Sequence, residues 1–271
     1  MNCSPKTQTR LLLALALAAT TALPALCNVQ GQMRVRSSGA QYQGTIRWKQ
    51  TEKKYEITTT DGRTFSFDAN DVQIHIPRPP ALDKAVADFR EGRYGSVVSG
   101  LTPIFPNYVN FPHDEEIASV LANALTAQRK SEDAIKVCER ITVARPDAAF
   151  KGGMVSAYWN ALLANNRTSK LEELLEKAIK TGDIPAMAQA AVLRGDMILQ
   201  VASPTALTYR TALVEGYMRV IVIYAREARS VLPEALYKAA QCFDKLGQSG
   251  RAQQFRAQLA AEFPDTDWAA K

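Results

Sequence analysis

The stretch from Leu232 to Lys271 limits the fold more than any other. Leu232, Ala235, Leu236, Ala239, Ala240, Phe243 and Leu246 recur at intervals that place them on one face of a spiral with 3.6 residues per turn. After Gly247, Ala252, Phe255, Leu259 and Phe263 repeat the pattern, and Pro264 stops it. Two amphipathic helices joined through a glycine turn form an antiparallel hairpin. Its small residues, Ala239, Ala240 and Ala252, let the rods approach, while Phe243, Phe255 and Phe263 fill the space between them. One such hairpin leaves apolar surface on its outer faces, so it needs neighbours of its own kind.

Those neighbours are written upstream. Val97, Ala134, Leu174, Ala212 and Ala252 occupy equivalent points, at steps of 37, 40, 38 and 40 residues. Five hairpins exceed the roughly three that a stack needs to be stable. The first helix runs Leu82–Glu91 to Gly92, and Pro103 kinks the one after it. Residues 106–112, with Tyr108 and Phe111, form the least regular part of the array. Ser131 is the expected N-cap of the helix carrying Ala134, Ile135, Cys138 and Ile141. Met154–Ala164 pairs with Leu171–Lys180, and a fourth unit starts at Pro185 and crosses Ser203-Pro204 as N-cap and first-turn proline. Val220 to Ile223 could form a strand by propensity, but the helical spacing carried through Tyr224 overrides it.

Gly247, Ala252 and Pro264 resemble the turn glycine, small packing residue and terminal proline of a tetratricopeptide repeat, and Ala134 and Pro146 repeat the separation of twelve. Cys138 and Arg256 stand where that family places a large apolar residue. The terminal repeat is also similar to those of bacterial exported repeat proteins of the YbgF and BamD type. The resemblance implies a non-enzymatic adaptor without a cofactor, whose superhelix grips a peptide or protein partner in the cell envelope. First helices line the groove in that family, which makes Asn123, Asn160, Tyr237, Lys238 and Gln241 the candidate protein-binding residues. Each would hydrogen-bond a partner's backbone or carboxylate.

The N-terminal part has another character. Lys6 and Arg10 precede an apolar Leu/Ala run that ends near Cys27, too short for a membrane span of about 20 residues. Residues 1–27 are therefore expected to be a secretory signal, with cleavage after Ala25 or Cys27, and the protein to be periplasmic or envelope-associated, joined to the membrane only if the signal is retained or Cys27 is lipidated. Residues 28–76 hold five short runs rich in Val, Ile, Thr, Tyr and Phe, namely Met33–Arg36, Tyr42–Lys49, Tyr55–Thr60, Thr64–Phe67 and Val72–Ile76. Asp61-Gly62 signals a two-residue hairpin turn. A small closed barrel of SH3-like or Sm-like type would remove the edges of so short a sheet, with Ile46, Trp48, Tyr55, Ile57, Phe65, Phe67, Val72, Ile74 and Ile76 as its core and a few surface aromatics. A proline-rich linker follows at residues 77–81. The expected fold is thus α+β, a β-barrel followed by an α-solenoid over residues 82–271.

Composition narrows the function. Without residues 1–27 the chain carries 31 bases and 27 acids, a net of +4, with both signs interleaved along the helices. Arg34, Arg36, Arg47, Lys49, Lys53 and Lys54 cluster near the strands, which keeps a nucleic-acid-binding barrel as the alternative. An enzyme acting on the cell wall is the third reading. It has little to draw on, because no HExxH, paired-cysteine, phosphate-loop or Gly-x-Ser-x-Gly motif occurs, and His75 and His113 lie in different segments. Asp114-Glu115-Glu116 and Glu172-Glu173 fit first-turn positions at helix N-termini. Tyr158 and Trp159 are expected in the core, Trp48 is a candidate marker of a binding face on the barrel, and Cys138 and Cys242 are expected as free buried thiols.

Overall fold

A computed structural model describes residues 28–271. The expected secretory signal and Cys27 lie outside the described residues. Five strands, β1 (Asn28–Val35), β2 (Gln41–Lys49), β3 (Lys54–Thr59), β4 (Thr64–Asp68) and β5 (Val72–His75), form one antiparallel sheet in the order β4-β3-β2-β1-β5. Burial alternates along the strands, least cleanly where Arg47 to Lys49 of β2 meets Lys54 to Glu56 of β3. Val29, Met33, Val35, Ile46, Ile57, Val72 and Ile76 are buried on one face, while Gln30, Gln32, Arg34, Gln41, Gln43, Gln73 and His75 face water on the other. Trp48, Tyr55, Phe65, Phe67 and Ile74 of the expected core reach this cluster only partly buried.

Two expectations are corrected here. The β3–β4 turn has a three-residue loop, Thr60 to Gly62: Gly62 N–H donates to Thr59 O (2.9 Å), Thr59 N–H to Arg63 O (2.9 Å), and Gly62 alone takes a positive φ, +83°. The sheet also does not close, because β4 and β5 stand at opposite edges. The helical array covers the apolar face instead. Phe111 is 2% exposed within the sheet's own cluster, and Tyr108 packs beside it. The irregular segment after Pro103 is thus a plug for the sheet.

Polar contacts hold that plug in place. The Tyr55 hydroxyl donates to Asn110 O, and its ring lies 5.5 Å from that of Phe111. Asp114, 3% exposed, accepts from Asn110 N–H (2.9 Å) and from Arg145 Nη2 (2.7 Å). Burial pushes the Asp114 carboxyl above its ordinary range against the pull of Arg145, and burial together with the nearby Asp114 charge pushes Tyr55 up to about 12. Arg78 closes the seam with two bonds to Glu116 (2.5 and 2.6 Å) and one to Asp83 (2.5 Å).

The rest is helical. The hairpins are α1 (Pro80–Arg90) with α2 (Tyr94–Leu101), then, past the single turn α3 (Phe105–Tyr108), α4 (Asp114–Ala127) with α5 (Ser131–Thr142). They continue as α6 (Val155–Ala164) with α7 (Thr168–Thr181), α8 (Ile184–Leu199) with α9 (Ala206–Ala212), and α10 (Leu232–Lys245) with α11 (Ser249–Glu262). The second helix of the fourth pair runs on beyond α9 through wide π-helical turns at Leu213–Tyr217 and Val220–Tyr224. Successive pairs lie side by side: α2 packs on α4, α4 on α6, α6 on α8, and α10 on the α9 side of the fourth pair. The hydrophobic core therefore runs the length of the array as one continuous body, from Leu82 to Leu259. This serial arrangement is what a stack of interdependent hairpins requires.

Local signals were displaced by a residue or two. Ser131 is the first residue of α5 with Lys130 at the cap, and α9 is capped by Thr205, in a reciprocal box with Thr208, and not by Ser203. Glu172 and Glu173 sit a full turn inside α7. Trp159 and Tyr158 are core residues, the indole N–H donating to Ala149 O (2.9 Å). Cys138 fills its large-residue position fully buried, whereas Arg256 stays outside and pairs with Asp244. Both Cys138 and Cys242 are free and buried.

Candidate functional site

Between the fourth and fifth hairpins the array opens into a cavity of about 580 Å³, lined by Asp196, Tyr209, Tyr217, Lys238, Gln241, Lys245 and other residues of α8 to α11. Its geometry starts from two glycines. A Cβ on Gly216 would lie 2.7 Å from Gly195 Cα, and one on Gly195 would lie 2.7 Å from the Tyr217 ring, so backbone meets backbone at this crossing. A glycine in the middle of α8 costs about 1 kcal/mol of helix propensity relative to alanine. Here it lets Tyr217 lie flat on α8, where its hydroxyl donates to Asp196 Oδ1 (2.7 Å).

The other oxygen of Asp196 accepts from Lys238 Nζ (2.6 Å), and Lys238 also donates to Glu234 Oε1 one turn back (2.6 Å). All three side chains are 18% exposed. Burial by itself would lower the pKa of Lys238. The charges and hydrogen bonds of Asp196 and Glu234 outweigh it, so the ammonium is held more firmly than in water. Burial, then the Asp196 charge and bond, drives the Tyr217 phenol far above its ordinary value. The floor of the cavity is therefore held by hydrogen bonds in which Lys238 stays charged and Tyr217 keeps its proton at neutral pH. Gln241 and Lys245 are exposed at the rim and free to meet a partner.

Of the five candidate contact residues, Lys238 and Gln241 line this cavity together. Lys238 is already engaged by two carboxylates, so it positions the floor. Tyr237 points to the C-terminal segment, where its ring lies 5.4 Å from Trp268, and Lys238 Nζ stands 5.7 Å over the same indole. Asn123 on α4 and Asn160 on α6 are half-buried and do not line this cavity, and Asn160 bonds only weakly to Ser156 (3.5 Å). Sequence reasoning missed Asp196 and Tyr217. Gly195 and Gly216, each beside one of them, were the available signal.

On the sheet, three of the six clustered bases are paired with acids. Lys49 pairs with Glu56 (2.6 Å) and Glu52 (3.7 Å), Arg47 with Glu56 (4.0 Å), and Lys54 with Asp68 (3.9 Å). Arg34 instead lines a shallow polar cavity of about 390 Å³ with Gln32, Gln41, Gln43, Gln73 and His75. Trp48 packs against Tyr55, at 4.7 Å between centroids. Among the described residues, no group of three or more His, Cys, Asp or Glu is placed to hold a metal ion, and no helix is long and apolar enough to cross a membrane.

No known family profile matches the chain, and no curated protein matches it. Among solved structures it is similar to a Podosopora anserina chain assigned as a kinesin light chain with nearly identical TPR-like repeats. The identity is 14% and the TM-score 0.39, over 67% of this chain and 92% of that one. A point variant of the same protein gives 15% identity at the same TM-score and coverage. At that distance the likeness adds nothing to the helical-repeat description, which stands on the serial packing of the hairpins.

Proposed function

We propose that this chain is a non-enzymatic scaffold that holds a peptide or protein partner along its stacked hairpins. The cavity between the fourth and fifth pairs is the anchoring point. The observation that carries this reading is the construction of that cavity: Asp196, Tyr217 and Lys238 are locked by hydrogen bonds, with Glu234 bound to Lys238 from one turn back, and the exposed donors and acceptors of Gln241 and Lys245 line the same space. A rigid floor in which two carboxylates share one ammonium, beside exposed polar side chains, suits recognition of backbone groups by Gln241 and of a carboxylate by Lys245. The tetratricopeptide-like spacing of Ala134 and Pro146, and of Ala252 and Pro264, supports the same role, with YbgF- and BamD-type adaptors as the relatives in style. On the strength of Lys6, Arg10 and the Leu/Ala run behind them, the scaffold works after export, in a bacterial cell envelope.

The test is site-specific photo-crosslinking from position 241 in cells, with position 123 on α4 and position 43 on the sheet as comparisons. Crosslinks concentrated at 241 support the reading, and crosslinks concentrated on the sheet overturn it. The mass of the mature N-terminus tests export separately, since an intact Met1 removes that part and leaves the scaffold.

A further inference from the structure

The free edge of β4 carries an interaction surface of its own. Thr59 N–H donates to Arg63 O (2.9 Å), which sets the phase of the β3–β4 ladder. By the alternation of antiparallel pairing, Phe65 and Phe67 turn their backbone groups to β3, opposite Ile57 and Tyr55, while Thr64 and Ser66 turn theirs outward. Among the described residues, none of the latter meets another backbone group in a turn, loop or cap, and β4 has no second strand neighbour. Thr64-Phe65-Ser66-Phe67-Asp68 contains no proline, lysine or bulge, and its one charge, Asp68, pairs with Lys54 of β3 (3.9 Å). The opposite edge is blunted: β5 has four residues, runs into Pro77, and its Val72 and Ile76 carbonyls meet Arg36 and His113.

The five residues of β4 read almost the same in both directions about Ser66. We propose that β4 pairs antiparallel with β4 of a second copy of this chain, about a two-fold axis at Ser66. In that register the outward N–H and C=O of Ser66 meet their opposites on the other Ser66, so the alternating partial charges of the edge complement themselves. Phe65 faces Phe67 of the second copy and Phe67 its Phe65, on the same face of one continuous sheet. Tyr42, whose ring lies 4.7 Å from Phe65 and 5.4 Å from Phe67, extends this into an aromatic band across the axis. Thr64 faces Asp68 on the outer, polar face. No other register keeps both aromatic pairs and the outward backbone groups in phase.

Sedimentation velocity over a concentration series, on the chain from residue 28, tests the pairing. The expected result is a reversible monomer–dimer equilibrium. Ser66→Pro removes only the outward N–H and abolishes association. Thr64→Asp sets like charges opposite each other twice and weakens association about tenfold. Thr64→Lys, which faces Asp68 of the second copy twice and leaves the Lys54–Asp68 pair in place, strengthens association instead. Circular dichroism of each variant separates lost pairing from lost folding. A monomer at every concentration, or a dimer indifferent to Ser66→Pro and to the charge at position 64, overturns the proposal. So does a monomer whose β4 amides become protected from exchange only when an extended peptide is added.

Discussion

Replacing Lys238 with methionine tests the physical basis of the cavity floor. The substitution keeps the length and apolar stem of the side chain and removes the ammonium that stands 2.6 Å from both Asp196 and Glu234. Two carboxylates, each 18% exposed, then share a low-dielectric corner, with Tyr217 as the remaining donor to Asp196. Breaking a fully buried ion pair costs about 3–5 kcal/mol, and the partial exposure of this one brings the expectation to about 2–4 kcal/mol. At about 2–4 °C per kcal/mol for a chain of this size, Tm falls by roughly 5–15 °C. Asp196→Asn removes one of the stranded charges, so the double variant loses less than the sum of the single ones, with a coupling of about 1–3 kcal/mol. The pH dependence has a definite sign. The pKa of Lys238 is raised in the folded protein, so its contribution is fully present below the ordinary lysine value near 10.5 and is lost as pH rises through the higher folded value. The gap between wild type and Lys238→Met therefore stays level around neutral pH and narrows in strong alkali. Urea titrations followed by circular dichroism measure all of this. A loss below about 0.5 kcal/mol, or strictly additive single costs, would refute the account.

Gly195→Ala is expected to destabilise by about 1–2 kcal/mol despite its gain in helix propensity, because the new Cβ lies 2.7 Å from the Tyr217 ring; a thermal melt decides. Phe111→Ala should cost about 3–5 kcal/mol and speed amide exchange first in the sheet, since Phe111 fills the apolar face that the open sheet leaves uncovered. Lys245→Ala should leave stability within about 0.5 kcal/mol while reducing crosslinking from position 241. Burial pushes the thiols of Cys138 and Cys242 up to about 12 and about 11, so neither should react with a disulfide reagent near neutral pH until the chain unfolds.

Much of this architecture was legible in one dimension. Periodicity is a local property, so the apolar positions of α10, the alternation along β4, and the breaks at Gly92 and Gly247 could be read directly from neighbouring letters. Helix caps were less legible, because Thr205 wins over Ser203 only through its reciprocal bond with Thr208. The cavity was half legible. Lys238 and Gln241 followed from the expectation that first helices line a groove, but not the fact that Lys238 is already occupied.

By itself, then, the sequence determined the regular hairpins, the strand-rich segment before them and which stripe of each is apolar, since backbone geometry turns spacing into a face. Tertiary structure alone decided what each stripe meets. Phe111 rather than barrel closure covers the sheet, Gly195 and Gly216 bring Tyr217 onto Asp196, and Asp196 reaches across 42 positions to neutralise Lys238. Contacts of that kind join residues remote along the chain, and their energies depend on separation and burial in space, which spacing between letters does not encode.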